Sequence, residues 1–303
     1  REGIRDSFER FHSHIESVNE NLKDLNHGEH FSTPIDIAMI RIDINANGQL
    51  EESENFHTVY TFYNRRAGAM FKNDASVVID FDLADAYWLK GYSHLLLALT
   101  DVILAHDWSK VYEHAAHVFF ASVDSETGSA LASLKKKEAT RYAMWADLIA
   151  GVHAMGLPVT GPERLKSAHG ELLETVHCSR LTWGLIAEES DDQNEWIPNP
   201  LQTGVTGVQI SDEMIDSWGE FLDEFEAILT GEKLVPHWRI GGDQGINLKR
   251  VFYDPRPFDP IFWMQGSAVI PYLEVGEVSS RETWSAITRT FRGNFIGFAI
   301  WVN

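Results

Sequence analysis

The chain has 303 residues, 44% hydrophobic and 12% aromatic, with ten tryptophans, enough to bury a core in one sizeable domain or two moderate ones. Its 45 acidic and 25 basic residues give a net charge of −20, which repels nucleic acid and anionic membrane surfaces. Cys178 is the lone cysteine, excluding an internal disulfide and a cysteine-based zinc cluster, and no run of about twenty apolar residues is present to span a membrane.

Helical periods dominate. Phe8, Phe11, Ile15, Val18, Leu22 and Leu25 recur at spacings of three and four and predict a first helix, with His12, His14, Glu16 and Glu20 off the centre of its apolar stripe. Asn26, His27 and Gly28 end it. Thr33-Pro34 predicts a short helix with proline in its first turn, and Glu51 to Phe71 another.

Between those two lies DINANGQLEESE, Asp43 to Glu54. Asp43, Asn45 and Asn47 put side-chain oxygens at positions one, three and five of a twelve-residue loop. Gly48 at six permits the sharp turn, and Gln49 at seven offers its backbone carbonyl. Leu50 at eight is an apolar anchor. Glu51 at nine reaches an ion through water, and Glu54 at twelve binds with both oxygens. An Asx-turn followed by an acidic helix start accounts for Asp43, Asn47 and Gly48 without an ion, but leaves the placing of Leu50 and Glu54 unexplained.

This stretch resembles the calcium loop of the EF-hand family, over about residues 33–64 only. The resemblance implies Ca2+ as cofactor, held by Asp43, Asn45, Asn47, the Gln49 carbonyl, Glu51 through water, and Glu54. Two features depart from the family. No second loop has this spacing, and Phe56 arrives one place later than the usual apolar position. A lone loop implies a structural ion rather than a cooperative sensor. Two neutral asparagines imply weak affinity, suited to calcium-rich surroundings.

Further along, Asp82 to His106 predicts a long, central helix that is apolar nearly all round, with Asp80, Asp82 and Asp85 at its start. Trp108 to Ala121 continues as another helix. Ala121 to Ser133 reads as a linker and candidate subdomain boundary. Lys135 opens a helix to about Met155, and Thr160 with Glu163 has capping-box spacing for a helix reaching Leu185. Glu188 to Gly207 reads as a long irregular loop. Ser211 caps a helix stopped by Gly231. Leu181 to Glu232 holds thirteen acidic residues and no Lys, Arg or His. That is a solvated face with an acidic loop, or else a second, looser cation site near Glu188 to Glu195. Beyond Leu234 prolines prevent long helices. Ser279 and Glu282 suggest one more capped helix, and Phe295 to Val302 a short apolar strand or extended tail.

Catalytic signatures are few. No nucleophile elbow, zinc helix, P-loop or dinucleotide fingerprint occurs. Glu174 and His177 have Glu-x-x-His spacing, and Glu113, His114 and His117 offer a near match, as in a helical metalloenzyme. His27 and His30 are three apart. Gly241, Gly242 and Gly245 form a tight turn, or a helix start able to hold an anion before Lys249 and Arg250. Trp238, Arg239, Phe252, Tyr253, Arg256, Phe258, Phe262, Trp263 and Tyr272 line a ligand pocket or fill a core.

The expectation is a mainly α protein: one multi-helix domain, residues 1–303, with an EF-hand-like unit at 33–64 and an irregular aromatic, proline-rich C-terminal segment. The sequence points to a calcium-binding protein, a binder or scaffold for a small ligand or another protein. The chain opens at Arg1 rather than methionine, read as a processed terminus and, with the weak loop, as an extracytoplasmic (periplasmic or secreted) location. The competing class is a metalloenzyme around Glu174 and His177. Catalytic residues are not readable.

Overall fold

Three- and four-residue apolar spacing governs most of the chain, and the architecture follows from it. The computed structural model describes residues 2–26, 31–41, 49–51, 54–55, 76–119, 130, 140–192, 194–205 and 207–302. Among these the protein is mainly helical, with ten α-helices and little strand. In chain order these are α1 (Glu2–Asn21), β1 (Ser32–Asp36), β2 (Val78–Asp82), α2 (Leu83–Leu104), α3 (Ser109–Phe119), α4 (Thr140–Ala154), α5 (Pro162–Glu188) and α6 (Asp212–Thr230). There follow β3 (Lys233–Leu234), β4 (Gln244–Ile246), α7 (Leu248–Tyr253), α8 (Pro260–Gln265), β5 (Leu273–Val275), β6 (Glu277–Val278), α9 (Arg281–Thr290) and α10 (Phe295–Val302). Among the described residues no helix is long and apolar enough to cross a membrane.

The chain divides into two compact units. The first comprises residues 1–20, 93–175 and 222–284, the second residues 21–92, 176–221 and 285–303. The linker expected at 121–133 lies outside the described residues except Ala130.

In the first unit, α1 docks through a polar seam. Asp101 of α2 is only 2% exposed, and its Oδ1 accepts from Arg164 Nη1 at 2.7 Å and lies 3.1 Å from His12 Nε2. Arg164 Nη2 reaches Glu9 Oε2 at 2.5 Å. Farther along α1, Asn19 accepts from Ser93 Oγ at 2.8 Å and meets His94, which in turn contacts Glu171. A carboxylate this buried needs such partners, because removing a charge from water is costly unless it is paired.

The proline-broken segment forms short pieces, as predicted. β4 pairs antiparallel with β5, β3 runs parallel to β6, and α7 and α8 are six residues each. Ile246, Val269 and Tyr272 form its core, with Val235, Val251 and Trp263 against them. Gly245 is needed for close approach, since a Cβ there would lie 2.7 Å from Leu234 Cβ. The aromatics expected to line a pocket or fill a core divide: Tyr272 and Trp263 belong to this core, whereas Trp238 is exposed beneath the Arg239 guanidinium.

In the second unit, β1 and β2 pair antiparallel, Thr33 opposite Phe81 and Pro34 opposite Asp80. This corrects the helix expected from Thr33-Pro34. Proline's missing N–H is tolerated equally well in a two-stranded ribbon, where every strand is an edge. Asp82 ends β2 and caps α2, accepting from the Ala84 N–H at 2.8 Å and the Asp85 N–H at 3.2 Å. The core centres on Trp218, which meets Phe221, Phe295 and Phe298 and donates to Ser179 Oγ at 3.0 Å. Phe295 to Val302 is therefore a helix, not the expected strand or tail. Phe295, Phe298 and Val302 share a face, a helical spacing hidden within an almost wholly apolar run.

Candidate functional site

Asp43, Asn45 and Asn47 lie outside the described residues, while Gln49, Glu51 and Glu54 are described. The frame around them is well defined. β1 leads into a single 3-10 turn, Ile37–Met39, capped by Asp36, whose carboxylate accepts from the Ala38 and Val77 N–H groups and from Ser76 Oγ. The Ser76 hydroxyl holds the Asp36 carboxyl below its ordinary range, against the opposing effect of burial and with help from the Val77 and Ala38 amides. Arg41 Nη1 then donates to the Ala38 carbonyl at 2.8 Å.

Arg41 pairs with Asn55 in an antiparallel bridge. The loop thus enters from a strand and a 3-10 turn, not from the helix that the EF-hand resemblance implies. On the exit side, the expected helix from Glu51 to Phe71 lies largely outside the described residues. Glu54, the position-twelve residue, is 4% exposed. Its Oε2 accepts from the Glu51 N–H at 3.1 Å, and its own N–H donates to the Glu51 carbonyl at 3.0 Å. That reciprocal pair is the turn a helix start makes, and it draws the Glu54 carboxylate back towards the loop. Leu50 departs from expectation. It is 64% exposed and does not anchor the loop to a core.

A second acidic centre in the same unit brings together two stretches that are distant in sequence. The segment after α5 is pinned by Asn199, whose Nδ2 donates to the carbonyls of Ile186 and Glu189, and by Gln202, whose Nε2 donates to Glu189 Oε2 at 3.1 Å and to the Asp191 carbonyl. The Asp80 N–H donates to the Asn194 carbonyl, tying β2 to this segment. Asp82 and Glu189 consequently hydrogen-bond to each other, with Asp85 and Glu195 buried nearby. Burial pushes the Asp85 carboxyl up to about 8, and the charges of Asp82, Glu195 and Asp80 add to the shift. Burial raises Asp82 and Glu189 as well. Asp85 and Glu189, each raised to about 8, hold protons near neutral pH. Sequence reading saw the two halves separately; the run without Lys, Arg or His from Leu181 to Glu232 was the available signal that no cation would neutralise them.

Among the described residues the histidine candidates form no metal-holding group. Glu174 and His177 are both exposed on α5, and His114 is exposed on α3. His117 is buried with Nε2 3.3 Å from Asp147 Oδ1 of α4, a helix-to-helix pair. His27 and His30 lie outside the described residues. Among the described residues no group of three or more His, Cys, Asp or Glu is placed to hold a metal. The glycine-rich turn takes its tight-turn form: Asn247 caps α7 by accepting from the Arg250 N–H, and Arg250 Nη1 meets Glu274 at 3.3 Å.

No protein-family model, curated protein or solved structure matches this chain.

Proposed function

We propose that this is a calcium-binding protein whose loop from Asp43 to Glu54 holds one structural Ca2+. The supporting observation is the buried Glu54 carboxylate at position twelve, turned back towards the loop one residue before the Arg41–Asn55 bridge. Asp43, Asn45, Asn47, the Gln49 carbonyl, Glu51 through water and Glu54 form an all-oxygen donor set, which suits a hard cation. The ion fastens the strand-side entrance to the exit and offsets the carboxylate charge of the loop.

The role that follows is a binder or scaffold for a small ligand or another protein, working outside the cytoplasm. Two asparagines among the ligands keep the affinity modest and match a calcium-rich compartment. With a dissociation constant of tens of micromolar, millimolar calcium adds on the order of 2 kcal/mol of stability. Elemental analysis of protein equilibrated with calcium tests the reading. One calcium per chain supports it, and bound zinc, iron or manganese in its place overturns it.

A further inference from the structure

α4 is turned inside out. Its sequence TRYAMWADLIAGVHA carries Arg141 and Asp147 as its only Asp, Glu, Lys or Arg residues, and Asp147 faces inward to His117. A Cβ on Gly151 would lie 3.6 Å from Ala115 Cβ, so Asp147 and Gly151 mark the face packed on α3. The side turned away from α3 holds Tyr142, 82% exposed, with Trp145 and Ile149, and Leu148 and Met144 flank it, all four more than half exposed. The 117–147 and 115–151 contacts run in opposite order, so α3 and α4 are antiparallel. Phe119, 79% exposed at the end of α3, therefore lies beside the start of α4.

At those exposures the six side chains present on the order of 800 Å2 of apolar surface. That exceeds the roughly 300–600 Å2 of the largest patch on a typical monomer and equals one partner's share of a stable dimer interface. We infer that this face of α3 and α4 is a self-association surface on which a second copy of the chain docks. Trp145 and Tyr142 supply the large, semi-rigid anchors on which interface energy concentrates. Charge distribution fits a second copy. Asp147 is the sole carboxylate of α4 and faces inward to His117, so the exposed side of that helix carries no acidic group. Two copies of a chain with net charge −20 thus meet through helix faces that carry no carboxylate.

Light scattering on the full chain, eluted at about 1 to 100 μM, tests this. The wild type is expected at twice the 34.3 kDa chain mass. Trp145→Glu and, separately, Tyr142→Lys are expected to halve it, with circular dichroism and thermal midpoint unchanged because neither side chain is in the core. A monomeric wild type across the range overturns the inference, and so does a dimer that survives both substitutions. Sedimentation of a monomeric wild type with phosphatidylserine vesicles, but not with phosphatidylcholine vesicles, also overturns it by giving the face to a lipid surface.

Discussion

Arg41 and Asn55 pair across an antiparallel bridge, so the stretch from Asp43 to Glu54 begins and ends at one place. In the EF-hand family, helices do this work. Here β1 and a 3-10 turn hold the entrance, and the position-eight residue, Leu50, points to solvent. Leu50→Lys is therefore expected to change stability by less than about 0.5 kcal/mol, the usual size for an exposed substitution. Urea unfolding with and without calcium measures it. A loss above about 2 kcal/mol would mean that Leu50 anchors the loop after all.

The carboxyls around Asp82 and Glu189 make stability depend on pH. Asp85 is raised from 3.8 to about 8, so between those values the folded chain holds a proton that the unfolded chain has released. Its contribution is fully present below about pH 4, declines as pH rises, and is lost once pH passes about 8. Asp85→Asn removes this dependence. Urea midpoints at pH 5, 6.5 and 8 should fall less steeply for the variant than for the wild type. Parallel curves would show that Asp85 titrates normally.

Asp101 and Arg164 provide a sharper stability test. Arg164→Met leaves the buried Asp101 with His12 as its remaining partner and should cost on the order of 3 kcal/mol. Adding Asp101→Asn should recover part of that loss by removing the unpaired charge. If the single variant loses less than about 1 kcal/mol, His12 alone satisfies Asp101.

Gly245→Ala should destabilise by about 2 kcal/mol, since the new Cβ would lie 2.7 Å from Leu234 Cβ and 2.9 Å from the Val235 carbonyl oxygen. The thermal midpoint reports it. An unchanged midpoint would mean that β3 and β4 can separate freely.

The sequence made the long helices legible because their apolar spacing is strong: α1, α2, α5 and α6 stand close to where periodicity put them. Ser211 caps α6 as read, accepting from the Met214 N–H. Other caps shifted once tertiary partners competed. Thr160 donates to the Ala105 carbonyl instead of capping α5, and Ser279 is taken by Glu224, leaving Ser280 to cap α9. β1 was misread because Pro34 suits a helix start and a strand edge equally. α10 was misread because an all-apolar run carries no period. The acidic centre and the α1 seam were not legible, since both depend on which distant charges the fold brings together. From Asp43 to Glu54, residue types and spacing were plain, but the strand-side closure was not.

Calorimetric titration of calcium into the full chain, beside an Asp43→Ala, Glu54→Gln double variant, tests the central claim most directly. The account predicts one site per chain with a dissociation constant of tens of micromolar, and no measurable site in the variant. A wild type that takes up no calcium, or a variant that binds it equally well, would contradict the claim and leave Asp43 to Glu54 as an acidic turn.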